Sequence, residues 1–161
     1  MAQTKATVAH HPVHPMLVVF PIGLWVAALV FDITYAASGN PVWRTLAFYN
    51  IAGGIIGALA AAIPGLVDYA DIQGRARRIA TWHMLINFGV VAVFAVNWLL
   101  RTRWGTRFVS ADSWVPFALT IIGVIALGIS GWLGGEMVYV ERVGVRDATD
   151  RRQEEIRRRV A

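Results

Sequence analysis

The chain has 161 residues, of which 57% are hydrophobic and only 16% are charged, and its 15 basic and 10 acidic side chains give a formal charge of +5. Mean hydropathy is +0.53. A soluble domain is about 25% charged, and a soluble chain this short cannot bury so much apolar surface in one core. The composition therefore indicates a membrane protein, and it excludes a disordered chain or a nucleic-acid-binding domain. The absence of cysteine excludes disulfides, thiolate zinc sites, cysteine-held iron–sulfur clusters and c-type haem attachment.

Four apolar runs are each long enough to cross the hydrocarbon layer, which takes roughly 20 residues of helix. Backbone amides in lipid must bond internally, so these runs are predicted to be helices, with Pro21 and Pro64 as tolerated kinks. The connecting segments are short, which favours antiparallel neighbours and an all-α, up-down-up-down four-helix bundle. We therefore expect a transmembrane domain over residues 1–145 and a charged tail over 146–161. The predicted spans cover residues 16–37, 45–67, 79–100 and 113–135.

The distribution of Lys and Arg predicts the orientation of the bundle. Eleven of these side chains lie at the end that holds the N-terminus, the second connection and the tail, against four at the other end. By the positive-inside rule, both termini are expected in the cytoplasm. The tail is expected to form a surface helix, because Glu154 and Arg158, like Glu155 and Arg159, have helical i,i+4 spacing.

Small residues recur at helical spacing in the second and fourth spans. The second span has Gly53, Gly57, Ala61 and Gly65, one every fourth residue. Such stripes let helix backbones approach closely. Helix packing is the favoured interpretation, a flat cofactor lying between helices is the alternative, and the spacing alone does not decide between them. The fourth span carries a similar set at Gly123, Gly131 and Gly135.

Ionisable residues converge at the end of the bundle where both termini are expected. Odd-numbered spans begin there and even-numbered spans end there, so the start of the third span lies level with the start of the first. Ionisable groups at membrane depth are costly and suggest a functional site. The residues predicted to converge are His10, His11, His14, Asp68, Tyr69, His83, Glu136 and Tyr139.

Structural roles compete with a site at each of these positions. His10 is equally consistent with an interfacial histidine, and His11 and His14 with caps on the first helix. His83 is equally consistent with a core histidine hydrogen-bonded to Asn87, one turn further on. Asp68 and Glu136 lie near enough to the interface to point to water. At the opposite end, Asp32 and Arg44 are expected to form a structural ion pair.

The leading functional hypothesis is bis-histidine ligation of a b-type haem. The first and third helices of a four-helix ring are diagonal neighbours, so His14 and His83 face each other across the core as axial ligands, with His11 a substitute for His14. Asp68 is expected to orient one imidazole through its other nitrogen. The haem propionates are expected to pair with Arg75, Arg77 and Arg78.

Two alternatives remain open from the residues alone. One is a non-haem zinc, iron or copper site, because nitrogen and oxygen ligands together suit these metals. Its expected ligands are His11, His14, His83, Asp68 and Glu136. The other is a membrane anchor subunit of a redox complex, whose polar end docks a partner protein. Under all of these hypotheses the protein is expected to be an electron carrier or a subunit of a complex more than a stand-alone enzyme. The sequence does not decide whether it forms a homo-oligomer.

Four sequence strings make the chain resemble a known family, the DUF2231 family of small four-helix predicted membrane proteins of bacteria. The strings are HPVHPMLVVFPIGLW, PGLVDY, WH at the start of the third span, and GGEMVYVERVGV. The resemblance covers residues 8–145. It implies an electron-transfer setting, because some relatives are joined to Rieske iron–sulfur domains. Many relatives have a histidine two residues after the tyrosine; Glu141 stands there in this chain, which leaves a second haem or a fourth imidazole ligand without support. The family's polar positions fall on His11, His14, Asp68, His83, Glu136 and Tyr139.

Overall fold

The protein is a bundle of four helices that are long and apolar enough to span a membrane. The computed structural model describes residues 5–9, 11–108, 110, 113–145, 156 and 159. Two helices in tandem form the first span, and one helix forms each of the others, so the predicted all-α membrane bundle is confirmed. The helices are α1 (Val13–Leu17), α2 (Val19–Ser38), α3 (Pro41–Tyr69), α4 (Gly74–Leu100) and α5 (Val115–Tyr139), and a 3₁₀ helix, Gly105–Arg107, lies between α4 and α5.

The helices extend beyond the apolar runs that predict them. Helix α3 begins at Pro41, four residues before the predicted start, because the Asn40 side chain accepts a hydrogen bond from the Val42 amide at 3.1 Å and Pro41 suits the first helical turn. Helix α4 begins at Gly74, before the predicted start at residue 79. Hydropathy reports the part of a helix that lies in hydrocarbon, whereas caps decide where its backbone begins.

The first span is interrupted at Val18, between α1 and α2. Pro21 has no amide hydrogen, so the carbonyl of Leu17 has no partner one turn further on. The backbone turns through Val18, whose amide bonds to the carbonyl of His14 at 3.1 Å. The kink expected at Pro21 is therefore a break in the helix, while Pro64 lies inside a continuous α3.

The helices pack as a ring. Helix α2 packs mainly on α3, and α4 packs mainly on α5, with lesser contacts between α3 and α4 and between α2 and α5. The first and third spans are therefore diagonal across the ring, an arrangement compatible with up-down-up-down order. Large apolar side chains on the outer faces are exposed, as expected for surfaces that contact lipid; examples are Phe20, Ile56, Ile63 and Trp132.

The middle of the bundle is closed by an aromatic pair from the two diagonal spans. The rings of Trp25 and Phe94 stack at a centroid distance of 4.3 Å and an angle of 8°. The Trp25 indole donates to the carbonyl of Ile51 at 3.3 Å, so its polar group is satisfied in the core. Glycines make room for both rings, because a Cβ on Gly54 would overlap Trp25 and a Cβ on Gly123 would lie 2.6 Å from Phe94.

We expect Gly54→Ala to destabilise the bundle by about 1–3 kcal/mol, because the added methyl group forces the buried Trp25 ring to move. Thermal unfolding in detergent, followed by circular dichroism, measures the change. Gly89→Ala is the matched control, since nothing lies within 4 Å of the Cβ that it adds. Equal unfolding temperatures for the two variants would contradict the tight approach of α3 to Trp25.

An ion pair lies buried at the end of the bundle where α2 and α4 terminate. The Arg101 guanidinium donates to both carboxylate oxygens of Asp32, at 2.7 and 2.6 Å, and each side chain is only 4% exposed. The Thr120 hydroxyl donates to the same carboxylate at 2.7 Å. The predicted Asp32–Arg44 pair is therefore wrong: the Arg44 guanidinium lies over the Tyr35 ring at 5.7 Å instead. Arg101 is the nearer cation because α2 and α4 are diagonal in the ring, and the sequence does not show this packing.

The residues before the first helix form a small hairpin at the other end. Strands β1 (Thr7–Val8) and β2 (His11–Pro12) pair antiparallel. This segment attaches to the end of α3, where the Ala6 amide donates to Asp68 at 2.9 Å and Lys5 pairs with Asp71 at 2.9 Å. We call this end, where α1 and α4 begin and α3 and α5 terminate, the histidine end. His10 lies outside the described residues, and so does at least one member of each pair predicted in the tail (Glu154 with Arg158, Glu155 with Arg159).

Candidate functional site

His14 in α1 reaches across to the backbone of α3. Its Nδ1 lies 2.8 Å from the carbonyl oxygen of Ala61. A carbonyl only accepts hydrogen bonds, so Nδ1 carries the ring proton and Nε2 keeps its lone pair. Gly65, one turn further along α3, makes room for the ring: a Cβ there would lie 2.8 Å from Nδ1.

His83 in α4 is held in the same way by α5. Its Nδ1 lies 2.9 Å from the carbonyl oxygen of Ser130 and 3.0 Å from the Ser130 hydroxyl. Asn87 does not bond to the ring as the competing interpretation expects. Its amide donates to the His83 carbonyl at 2.8 Å and to the Ser130 hydroxyl at 2.6 Å, so it positions the residue that holds the imidazole. The Nε2 atom of His83 is again the one left with a lone pair.

The two imidazoles meet across the bundle core. Their ring centroids are 6.3 Å apart and their planes are almost perpendicular, at 86°. Both rings line one cavity of about 600 Å³ between the helices, a volume within the usual range for sites that bind small molecules and cofactors. Its floor includes Trp25, and most of the side chains around it are apolar. The two histidines singled out by the sequence therefore lie together in a largely apolar cavity.

The cavity also reaches the outer surface of the bundle. Exposed residues are among those that line it at the two helix pairs with fewer contacts, α3 with α4 and α2 with α5. Between α3 and α4 these are Leu59, Leu66 and Phe88, and between α2 and α5 they are Ile22, Gly131 and Val138.

The small-residue stripes serve two purposes. In α3, a Cβ on Gly53 would lie 3.3 Å from Leu24 and one on Gly57 would lie 3.2 Å from Pro21, closer than ordinary van der Waals contact, so these glycines let α2 and α3 approach closely. Gly65 of the same stripe makes room for the imidazole of His14 instead. In α5, Gly131 has open space beside it and lines the cavity.

Of the other predicted ligands, Asp68 lines the same cavity as the two histidines, but none forms a metal-binding group with them among the described residues. His11 is exposed in the hairpin, and its Nδ1 bonds to the carbonyl of Ala9 at 2.8 Å. Asp68 is buried but accepts from the Ala6 amide, and the orienting role expected of it is filled by backbone carbonyls. Glu136 pairs with Arg75 at 3.4 Å. Within the described part of the chain, no three His, Asp or Glu side chains form a group able to hold a metal ion, so the expected five-ligand site is not assembled.

None of the three arginines predicted to pair with haem propionates lines the cavity. Arg77 donates to the carbonyl of Tyr69 at 2.9 Å and lies 3.9 Å from the centre of its ring, which caps the end of α3. Arg75 also pairs with Glu141 at 3.2 Å. Arg78 is exposed.

Sequence reasoning did not find the groups that fix the imidazoles. The carbonyls of Ala61 and Ser130 perform this role, and a backbone carbonyl has no signature in the residue type. The Ser130 hydroxyl was within reach of prediction, since it is a polar group inside an apolar run of α5.

The fold and the site define a four-span membrane protein with a pair of half-buried histidines between its diagonal helices. Residues 10–147 match the family model described as predicted membrane protein, DUF2231. The chain therefore belongs to this family, as its sequence strings indicate. Comparisons with curated proteins and with solved structures give no match.

Proposed function

We propose that the protein binds a b-type haem between His14 and His83 and takes part in electron transfer within a bacterial inner membrane. The observation that carries this proposal is that the two imidazole rings are held by the same kind of hydrogen bond. Each donates its Nδ1 hydrogen to a backbone carbonyl, and each keeps the Nε2 lone pair free for a metal. These carbonyl contacts fix the tautomer in which Nε2 of each neutral ring is available to a metal.

The donor set and its dimensions fit haem iron. Metal–imidazole bonds are about 2.0 Å long, so two imidazoles on one metal have ring centroids about 6 Å apart, and the centroids here are 6.3 Å apart. Two protein ligands are enough for haem, because the porphyrin supplies the other four nitrogens. A structural zinc site needs four protein ligands and a catalytic one three, and no such group is assembled among the described residues. The apolar cavity suits the macrocycle.

The chain's own residues position the ligands and exclude water. The Ser130 carbonyl and hydroxyl, with Asn87 behind them, fix the orientation of His83, and the Ala61 carbonyl fixes that of His14. The stacked Trp25 and Phe94 rings close the core at the inner side of the cavity. When bound, haem supplies a one-electron carrier whose potential depends on these ligands, their hydrogen bonds and their burial. The excess of Lys and Arg places the histidine end on the cytoplasmic side in this proposal.

Spectroscopy and metal analysis of the purified protein test the proposal. The protein, purified in detergent from cells supplied with a haem precursor, should contain stoichiometric iron and give the absorbance of a six-coordinate, low-spin haem. His11→Ala is the matched control and should keep this spectrum, because that imidazole is exposed and does not line the cavity. Stoichiometric zinc or copper with no Soret band, or a colourless protein that takes up no added haemin, would overturn the proposal.

Gly65→Ala should weaken haem binding without removing a ligand. The added Cβ would lie 2.8 Å from Nδ1 of His14, so the ring must move and its hydrogen bond to Ala61 is lost. Loss of such a supporting bond typically costs a metal site about 10–100-fold in affinity. Haemin titration in detergent measures the effect. Gly23→Ala is the control, with open space around the added methyl group, and an equal affinity for both variants would argue against His14 as a ligand.

A further inference from the structure

A groove on the outer surface of the bundle, at the histidine end, has a lining of mixed character. Its volume is about 400 Å³. The residues of α4 that line it follow helical spacing, so they form one face of that helix, and α5 supplies the opposite wall. Two arginines lie towards the start of α4, and apolar side chains continue the groove into the span. Its lining residues are Arg75, Arg78, Ile79, Trp82, Ile86 and Leu133, and none of them lines the histidine cavity.

Two hydrogen-bond donors in this groove lack acceptors within the described part of the chain. Arg78 is exposed and has no partner there, and neither has the indole N–H of Trp82, one turn further along α4. Trp82 is 62% exposed on the surface of a membrane-spanning helix. Near hydrocarbon an indole N–H requires an acceptor from its surroundings, and tryptophan accordingly concentrates at the level of lipid headgroups.

Arg78 gives the groove a positive charge. Arg75 lies between two carboxylates, Glu136 at 3.4 Å and Glu141 at 3.2 Å, which compensate its charge. The third arginine of this segment, Arg77, is turned away towards the carbonyls that end α3. Among the described residues, the uncompensated charge that borders the apolar groove therefore belongs to Arg78, and a guanidinium matches phosphate oxygens in both charge and geometry.

We propose that this groove binds one anionic phospholipid of the surrounding leaflet. The phosphate accepts hydrogen bonds from Arg78, an oxygen of the headgroup region accepts from the Trp82 indole, and an acyl chain lies along Ile79, Ile86 and Leu133. Only a ligand that joins negatively charged acceptors to a long apolar chain satisfies both parts of the groove, and basic pockets beside membrane helices commonly recognise anionic headgroups. The site is independent of haem and of the histidine pair.

Native mass spectrometry of protein released from nanodiscs made of equal parts phosphatidylglycerol and phosphatidylcholine tests this proposal. The unmodified protein should retain phosphatidylglycerol in preference. Arg78→Gln should lower that retention at least tenfold, because it removes a hydrogen bond to a charged group. Trp82→Phe should lower it about two- to tenfold through the loss of one neutral donor, and Arg78→Lys should retain more lipid than Arg78→Gln. Both side chains are exposed, so unchanged helicity and elution in detergent will show that the variants fold.

Arg107→Gln is the matched control, because Arg107 also lies beside an exposed tryptophan, 5.7 Å from the Trp104 ring, but at the opposite end of the bundle. It should leave retention unchanged. Equal retention of the two lipids by the unmodified protein, or unchanged retention by Arg78→Gln, would overturn the proposal. Displacement of the lipid by excess inorganic phosphate would overturn it too, since it would indicate a simple anion site without recognition of the acyl chain.

Discussion

His83→Ala should abolish haem retention while leaving the bundle folded. Removal of one axial imidazole leaves iron with a single protein ligand, and His83 is the ligand with the more elaborate support, through Ser130 and Asn87. Ligand loss should therefore remove the low-spin spectrum altogether. The side chain contributes to a cavity wall and is not part of the central aromatic packing, so helicity and elution in detergent should not change.

His14→Ala should have the same effect, because both imidazoles are needed for six-coordinate iron. The double variant should lose no more than either single variant, since the two ligands act as one unit. Addition of free imidazole to His83→Gly should restore part of the low-spin spectrum, a result that a purely structural histidine would not give. A His83→Ala protein with the haem content of the unmodified chain would refute the assignment.

The sequence predicts the spans and the histidine pair for the same physical reason. A helix that crosses the membrane has few choices of length or depth, so the positions of His14 and His83 near the starts of the first and third spans place them at one level. A ring of four helices then makes these spans diagonal neighbours. The observed contact between the rings agrees with this argument. Their role as haem ligands remains a prediction.

Features that depend on helix rotation could not be predicted in this way. Depth does not reveal which way a side chain points around its helix, so the sequence assigns Glu136 and Arg75 to the site, although they pair with each other at 3.4 Å and neither lines the cavity. The hairpin that holds His11 away from the core has no apolar pattern to reveal it. Likewise, the carbonyls that hold the two rings become available only once α3 and α5 have taken their positions.

Arg101→Ala should be among the most destabilising single substitutions in the chain. It leaves the Asp32 carboxylate buried and without its bidentate partner, and loss of one member of a buried ion pair typically costs about 3–5 kcal/mol. The Thr120 hydroxyl alone cannot compensate a full charge at 4% exposure. Thermal or denaturant unfolding in detergent, at fixed lipid and detergent content, measures the loss.

Arg44→Ala is the control that separates the observed pair from the pair that the sequence suggests. The Arg44 guanidinium contacts the face of the Tyr35 ring, and such a contact contributes about 0.5–1 kcal/mol at a solvent-accessible site. Arg44→Ala should therefore leave the free energy of unfolding almost unchanged. Replacing both partners, as Asp32→Leu with Arg101→Met, should recover most of the stability that Arg101→Ala loses. An apolar pair of similar volume carries no desolvation cost, whereas a lone carboxylate in the same place carries all of it. If Arg101→Ala and Arg44→Ala cost the same, or if the double variant is less stable than Arg101→Ala, then the charge of Asp32 is not compensated by Arg101 in the folded protein.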